Sequence, residues 1–487
     1  MNNHFDVLIV GAGISGIGAG YHLQTKCPKT TYAVLEGRKD LGGTWDLFKY
    51  PGIRSDSDMF TLGFSFKPWT EAKSIADGPA ILKYLHETAE EYGIKERILF
   101  EHKVIDLSWS SSDCIWSVKV EMQSTKEIKF FSCNFLSMCS GYYDYNKGYE
   151  PKFKGSENFS GDMMHPQKWR DDITYKDKKV VIIGSGATAV TLVPAMAKDA
   201  KHVTMLQRSP TYVVQAPEQD LLAIFIRKYF TASLSHFLVR WRNILRGQFY
   251  FRLCKKYPQR IKKIILEGVK NALGENYDIK KHFTPRYNPW DQRMCLVPNG
   301  DLFESINSQK ASVVTEHINS FVKNGILLES GEILEADLIV TATGLNIQML
   351  AGINIEVDKV KVDFSKTVTY KGMMFSGVPN LVNSFGYINA SWTLRSDLTC
   401  EFLCRLINHM DAQDYRQCRP LTNDEVEEEN DMLDFSSGYL TRAINILPKQ
   451  GTKSPWRNYQ NYLLDIFDTR FGSFKDGALN FSSLDSK

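Results

Sequence analysis

Two glycine-rich turns hold the residues whose types and spacing are best suited to chemistry. In "FDVLIVGAGISGIGAG" the glycines Gly11, Gly13 and Gly16 form GxGxxG directly after the apolar run 7–10. The first glycine of such a turn permits a sharp reversal, the second lets backbone approach a pyrophosphate, and the third lets a helix pack on the strand. A helix expected over 14–26 directs free N–H groups and its positive dipole end at the phosphates. The next strand, "TTYAVLE", ends at Glu36, whose carboxylate can accept hydrogen bonds from ribose hydroxyls. Alone, GxGxxG reads equally as a tight turn; the order strand, turn, helix, strand, Glu makes it a dinucleotide site.

The turn recurs in "KKVVIIGSGATAV". Gly184 and Gly186 take the first two places, Thr188 stands beside them, and Ala189 fills the third, where a small side chain suffices. Here the following strand, "HVTMLQRSP", ends in Gln207, Arg208 and Ser209. A carboxylate would repel a 2′-phosphate, whereas Arg208 can bind one, so this site favours NADP over NAD. The alternative for Arg208 is a surface arginine at a strand end. Two sites of opposite charge preference imply two dinucleotides, FAD at the first and NADPH at the second. The run "LIVTATG" predicts a further strand ending at Gly344, either close to a cofactor or as an ordinary strand end.

Parallel strands alternating with helices must carry these turns. The expected fold class is therefore α/β, with two interleaved dinucleotide-binding (Rossmann-like) domains and a helical insert. The FAD domain is expected over 1–145 and 385–487, and the NADP domain over 146–215 and 291–384. The insert, 216–290, is expected between the halves of the NADP domain, near the substrate pocket. A chain of 487 residues is too long for one core. Its net charge of +3 is too small to argue for a nucleic-acid partner. Nine cysteines without a CxxC pair fit buried, reduced thiols in a cytoplasmic protein and speak against a dithiol redox enzyme. The histidines show no HExxH or other ligand spacing, so no metal is expected. An uninterrupted apolar run of ~18 residues, as a transmembrane helix needs, is missing.

Between the two turns lies "FSGDMMHPQKW". Phe159, Gly161, His165 and Trp169 match the FxGxxxHxxxW fingerprint of Baeyer–Villiger monooxygenases, the class B flavoprotein monooxygenases. Arg170 stands after Trp169, where the family usually has Pro or Asp. "GGTWDLFKYPGIRSD" resembles a second family element and brings Gly43, Thr44, Trp45, Tyr50 and Asp56 to the expected flavin site. "YNPWDQRMCLVPNGDLF" and "FGYINASWTLRSDLTC" resemble the branch that includes the ethionamide-activating monooxygenase. The resemblance runs nearly the whole chain and is weakest over about 221–281.

The resemblance implies an NADPH- and O2-dependent enzyme that inserts one oxygen atom into a ketone through a C4a-peroxyflavin, giving an ester or lactone. Sulfides and thioamides are implied as secondary substrates. It also places the catalytic cation at Arg293 and the carboxylate that orients it at Asp56. A guanidinium stays charged and presents a fixed fork of donors, which suits an anion beside the flavin. Without the resemblance, Arg293 reads as a structural ion pair and Asp56 as a loop cap. His165 is implied to couple domain motion to cofactor position. Trp392 reads as an active-site wall or an ordinary core tryptophan.

Residues 221–256 carry eight Lys or Arg and no Asp or Glu, interleaved with aromatics at spacings near three and four. This predicts amphipathic helices. One reading packs the apolar face on the protein and leaves the basic face in water; the other is peripheral contact with a membrane. The acidic run "DEVEEEND" predicts a solvated helix face. Self-association is allowed for, without a decisive signal. Rival functions are a flavin-containing N/S-monooxygenase without ketone activity, a non-catalytic flavin-binding redox sensor and a membrane-bound quinone reductase.

Overall fold

The structure is a computed structural model that describes residues 3–422 and 438–483, with the backbone of 428–429. The acidic run 424–431 lies outside the described residues except for that backbone, which pairs as a strand with Gln450–Gly451.

The apolar run before Gly11 is the strand His4–Val10, with its last four residues buried. It pairs in parallel with Tyr32–Leu35 on one side and Ile128–Met138 on the other. A strand covered on both faces must be apolar throughout, and 7–10 are Val, Leu, Ile and Val. Beyond Ile128–Met138 the sheet continues through the antiparallel strands Ile115–Met122 and His102–Ser110. Helix Ile14–Lys26 follows the first glycine turn and packs on helix Trp392–Ala412 from the far end of the chain.

A second sheet is parallel throughout. Its order is Ala311–Thr315, His202–Gln207, Lys179–Ile183, Leu338–Val340 and Asp162–Met164. The last of these is the middle of the histidine fingerprint, so that stretch supplies an edge strand. Helix Ala187–Met196 follows the second glycine turn.

The chain returns to the first sheet early. Asn354–Val357 pairs with His102–Ser110, and Leu381–Asn383 with Ile128–Met138. Both strands precede residue 385, where the return was expected. For Asn354–Val357 the reason lies in the assembled sheet: His102–Ser110 would otherwise leave a row of backbone groups unpaired at its edge.

The insert comprises helices Leu221–Tyr229, Ala232–Lys256, Pro258–Leu273 and Ile279–His282. Ala232–Lys256 docks on the first domain through a polar contact. Arg240 is buried and donates to the carbonyls of Phe60 at 3.0 Å and Gly63 at 2.7 Å. Its guanidinium lies 3.7 Å from Asp397, which in turn meets His22 at 3.4 Å. Removing one member of a buried charge group strands the others. Arg240→Leu is therefore expected to cost about 3 kcal/mol in urea unfolding. Arg252→Leu, at an exposed position of the same helix, should stay within about 0.5 kcal/mol of wild type.

Candidate active site

Both glycine turns open onto one cleft of about 1360 Å³, larger than the ~300–1,000 Å³ of an ordinary single-ligand pocket. At the first turn, a Cβ on Gly16 would lie 1.9 Å from the Gly11 carbonyl oxygen, so helix and strand approach too closely for any side chain. At the second, a Cβ on Gly186 would meet nothing within 4 Å: that position faces open cleft, where backbone is accessible to a ligand. Neither following helix has a side-chain cap or an acidic residue in its first turn, which leaves its first N–H groups to an outside acceptor.

Glu36 lies beside the first turn. Its carboxylate accepts from the backbone N–H of Ala12 at 2.7 Å and of Arg38 at 2.9 Å. Burial pushes the carboxyl pKa up against these bonds. Gly11, Gly13, Gly43, Thr44 and Trp45 line the same part of the cleft, and Gly184, Thr188, Arg208, Ser209 and Gly344 line the other. Arg208 is exposed, whereas its neighbour Gln207 is buried and bonded to the His282 carbonyl and to Thr315. Gly16 and Ala189 do not line the cleft and act through packing; Ala189 is fully buried.

Tyr50 and Asp56 belong to a strap, 42–56, that crosses between the domains. A Cβ on Gly52, whose φ is +74°, would come within 2.7 Å of the Ala195 side chain, so the strap lies flat on helix Ala187–Met196. Tyr50 is buried in the apolar core of the second domain, and burial pushes its pKa up to about 12. Arg54 forms an ion pair with Asp301 of the second domain.

The strap ends at the cation. Arg293 meets Asp56 through a two-pronged fork, Nε to Oδ2 at 2.7 Å and a terminal nitrogen to Oδ1 at 2.8 Å. The two side chains are 37% and 28% exposed, open enough to reach a ligand. The Asp56 carboxylate holds the guanidinium further above its ordinary pKa, so Arg293 is charged at any working pH.

Three tyrosines that sequence reasoning passed over surround this pair. The Tyr142 and Tyr143 hydroxyls lie 2.6 Å apart, and Tyr439 lines the same cleft as Arg293. Burial, first among the causes, raises all three phenol pKa values, so they remain protonated donors. The tyrosine-rich loop "GYYDYNKGYE" holds Tyr142 and Tyr143 but gives no sign that they meet Arg293. Trp392 stacks on Tyr142 with ring centroids 5.3 Å apart and donates to the Ser15 hydroxyl at 2.8 Å. It lines the cleft.

His165 and Trp169 lie outside the cleft lining. His165 Nε2 donates to the Gly344 carbonyl at 3.1 Å, while Nδ1 accepts from the Gln167 N–H at 3.2 Å. Gln167 in turn donates to the Asp144 carbonyl, and Asn346 to that of Gly148. The fingerprint therefore clasps the two segments that cross between domains, and it touches the cleft only through Gly344. Of the insert, only Arg286 and Tyr287 reach the cleft, so its four helices stand off from it.

Two dinucleotide turns, a shared cleft and a cation fixed between them are the architecture of a flavin-type oxidoreductase. The family description "Flavin-binding monooxygenase-like" matches residues 64–381, and "NAD(P)-binding Rossmann-like domain" matches 9–77. The chain belongs to the flavin-binding monooxygenase-like family. It is 50% identical over 483 residues to the FAD-containing monooxygenase EthA of Mycobacterium tuberculosis (strain ATCC 25618 / H37Rv), covering 99% of this chain and 98% of that protein. It is 46% identical to the probable FAD-binding monooxygenase AlmA of Acinetobacter baylyi, covering 99% and 97%. A steroid monooxygenase bound to NADP shares the fold with a TM-score of 0.78 at 20% identity, covering 99% of this chain and all of that one.

The neutral His165 ring satisfies both its partners, and a protonated ring would lose the Gln167 bond. Burial lowers its pKa below that of the unfolded chain, so the unfolded state binds the proton more readily. Stability should hold above the ordinary histidine value of about 6.5 and fall as pH drops below it. Urea midpoints measured across this range should decline less steeply for His165→Gln than for wild type. An identical slope would show that His165 does not titrate in this way.

Proposed function

We propose that the protein uses FAD and NADPH to insert one atom of O2 into ketones, giving esters or lactones. The observation that carries this reading is the Arg293–Asp56 fork at a cleft lined by both glycine turns. Gly11, Gly13, Glu36, Gly43, Thr44 and Trp45 would hold FAD; Gly184, Gly186, Thr188, Arg208, Ser209 and Gly344 would hold NADPH. Relatives described as FAD-containing, and a structural neighbour solved with FAD and NADP, support the pairing. When bound, the nicotinamide supplies hydride and the flavin passes electrons on to dioxygen.

The protein's part is charge, orientation and exclusion of water. Arg293 presents a permanent cation to oxygen-borne negative charge, and Asp56 fixes its direction. Trp392, Phe385 and Tyr387 give the cleft an aromatic wall. The protonated tyrosine hydroxyls beside Arg293 favour a second substrate class, sulfides and thioamides, whose oxygenation is helped by a donated proton.

Supplying NADPH and isotopically heavy O2 with a ketone and a sulfide tests the reading. A labelled ester supports it; sulfoxide without ester supports the N/S-monooxygenase; bound flavin without NADPH consumption supports the sensor. Arg293→Ala should still be reduced by NADPH but form ester about a hundredfold more slowly or worse. Ester formation at the wild-type rate would remove the assignment. Arg208→Glu should raise the KM for NADPH about tenfold or more and leave flavin content and NADH use unchanged. An unaltered KM would place the 2′-phosphate elsewhere.

A further inference from the structure

Helix Ala232–Lys256 buries a mixed face: Val239, Ile244 and Cys254 pack on the protein, and polar side chains go in beside them. The residues it buries include Ser235, Arg240, Asn243 and Gln248, and the polar contacts run inward: Arg240 to backbone carbonyls, and Asn243 to Asp58 at 3.0 Å. Its opposite face carries Leu234, Phe237, Trp241, Leu245 and Phe249, spaced three or four apart so that they form one stripe. Of these, Phe237 is 56% and Phe249 65% exposed. The preceding helix, Leu221–Tyr229, buries only Ala223, while Leu221, Phe225 and Tyr229 line one exposed side of it. Nearby, helix Tyr462–Phe471 adds exposed Phe467 and Phe471, and joins the stripe where Tyr462 meets Trp241 at 6.2 Å. Part of the apolar surface of this helix packs on the protein, and most of the stripe faces solvent.

We propose that this surface docks on an anionic lipid bilayer. Charge decides between a membrane and a second copy of the chain. From Leu221 to Leu266 there are eleven Lys or Arg and no Asp or Glu. Lys228, Arg246, Arg252, Lys256, Arg260 and Lys263 are exposed. A symmetric dimer would set this surface against itself, like charge against like. A bilayer with anionic headgroups accepts both components, aromatic side chains at the interface and cations among the phosphates. No helix among the described residues is long and apolar enough to cross a membrane, so the contact is peripheral. The stripe connects to the reaction cleft through packed rings: Phe237 to Trp241 at 6.2 Å, Trp241 to Tyr462, and Tyr462 to the cleft residue Tyr387 at 6.3 Å.

Sedimentation of the flavin-loaded, full-length protein with vesicles tests the proposal. Wild type should bind phosphatidylcholine–phosphatidylglycerol vesicles about tenfold or more better than phosphatidylcholine alone, and added salt should release it. Phe225→Ser/Phe249→Ser and Arg252→Glu/Lys256→Glu should each weaken binding about tenfold or more. Both should keep wild-type flavin content and NADPH-driven flavin reduction. These two readouts separate failure of docking from failure of the catalytic reading. Flavin-loaded wild type that stays in the supernatant, or binding indifferent to salt and to both variants, would overturn the proposal. A concentration-dependent dimer abolished by Phe225→Ser/Phe249→Ser would assign the surface to a second copy instead.

Discussion

The fork between Arg293 and Asp56 is the constraint on which the rest of the cleft depends, because its two halves come from different parts of the fold. Asp56 ends the strap that leaves the first sheet; Arg293 precedes the strand Cys295–Pro298 beyond the insert. Roughly an ångström more separation would take either prong beyond hydrogen-bond length. The distances of 2.7 and 2.8 Å therefore require the strap to be fixed. Tyr50 in the apolar core, Gly52 on Ala195 and Arg54 on Asp301 fix it, and all three contacts lie on the second domain. The cation is thus positioned by packing between domains as much as by its own partner.

The histidine fingerprint follows the same logic at the opposite crossing. His165 holds the carbonyl of Gly344, which lines the cleft, and through Gln167 reaches the segment that leaves the first sheet. A residue type chosen for acid–base chemistry is used here as a rigid two-ended clasp. Its neutral ring has one donor and one acceptor, and the backbone supplies the complement to each. That is why a histidine beside a reaction cleft need not touch the reacting atoms.

What could be read from the sequence was what local covalent geometry dictates. Gly11, Gly16 and Glu36 occupy positions set by the turn, helix and strand that immediately surround them, and Arg208 by its place after a strand. The tyrosines around Arg293 were not legible, because Tyr142 and Tyr439 converge from segments nearly three hundred residues apart. The strand Asn354–Val357 was not legible either: its partner is chosen by which sheet edge lies open, a property of the assembled fold. The pair Arg293 and Asp56 came from family resemblance, since an arginine and an aspartate far apart in sequence carry no geometric signal of their own.

The insert shows a different limit. Periodicity in 221–256 predicted helices correctly but is symmetric with respect to which face turns inward. Polar residues face the protein because their partners are there: Arg240 finds three carbonyl oxygens and Asn243 a carboxylate, and a buried guanidinium without such acceptors would be strongly disfavoured. Apolar packing alone would drive the same helix to roll its aromatic stripe inward. The observed orientation instead buries Val239, Ile244 and Cys254 together with these polar groups, and it leaves the stripe continuous with the aromatic wall at Tyr387.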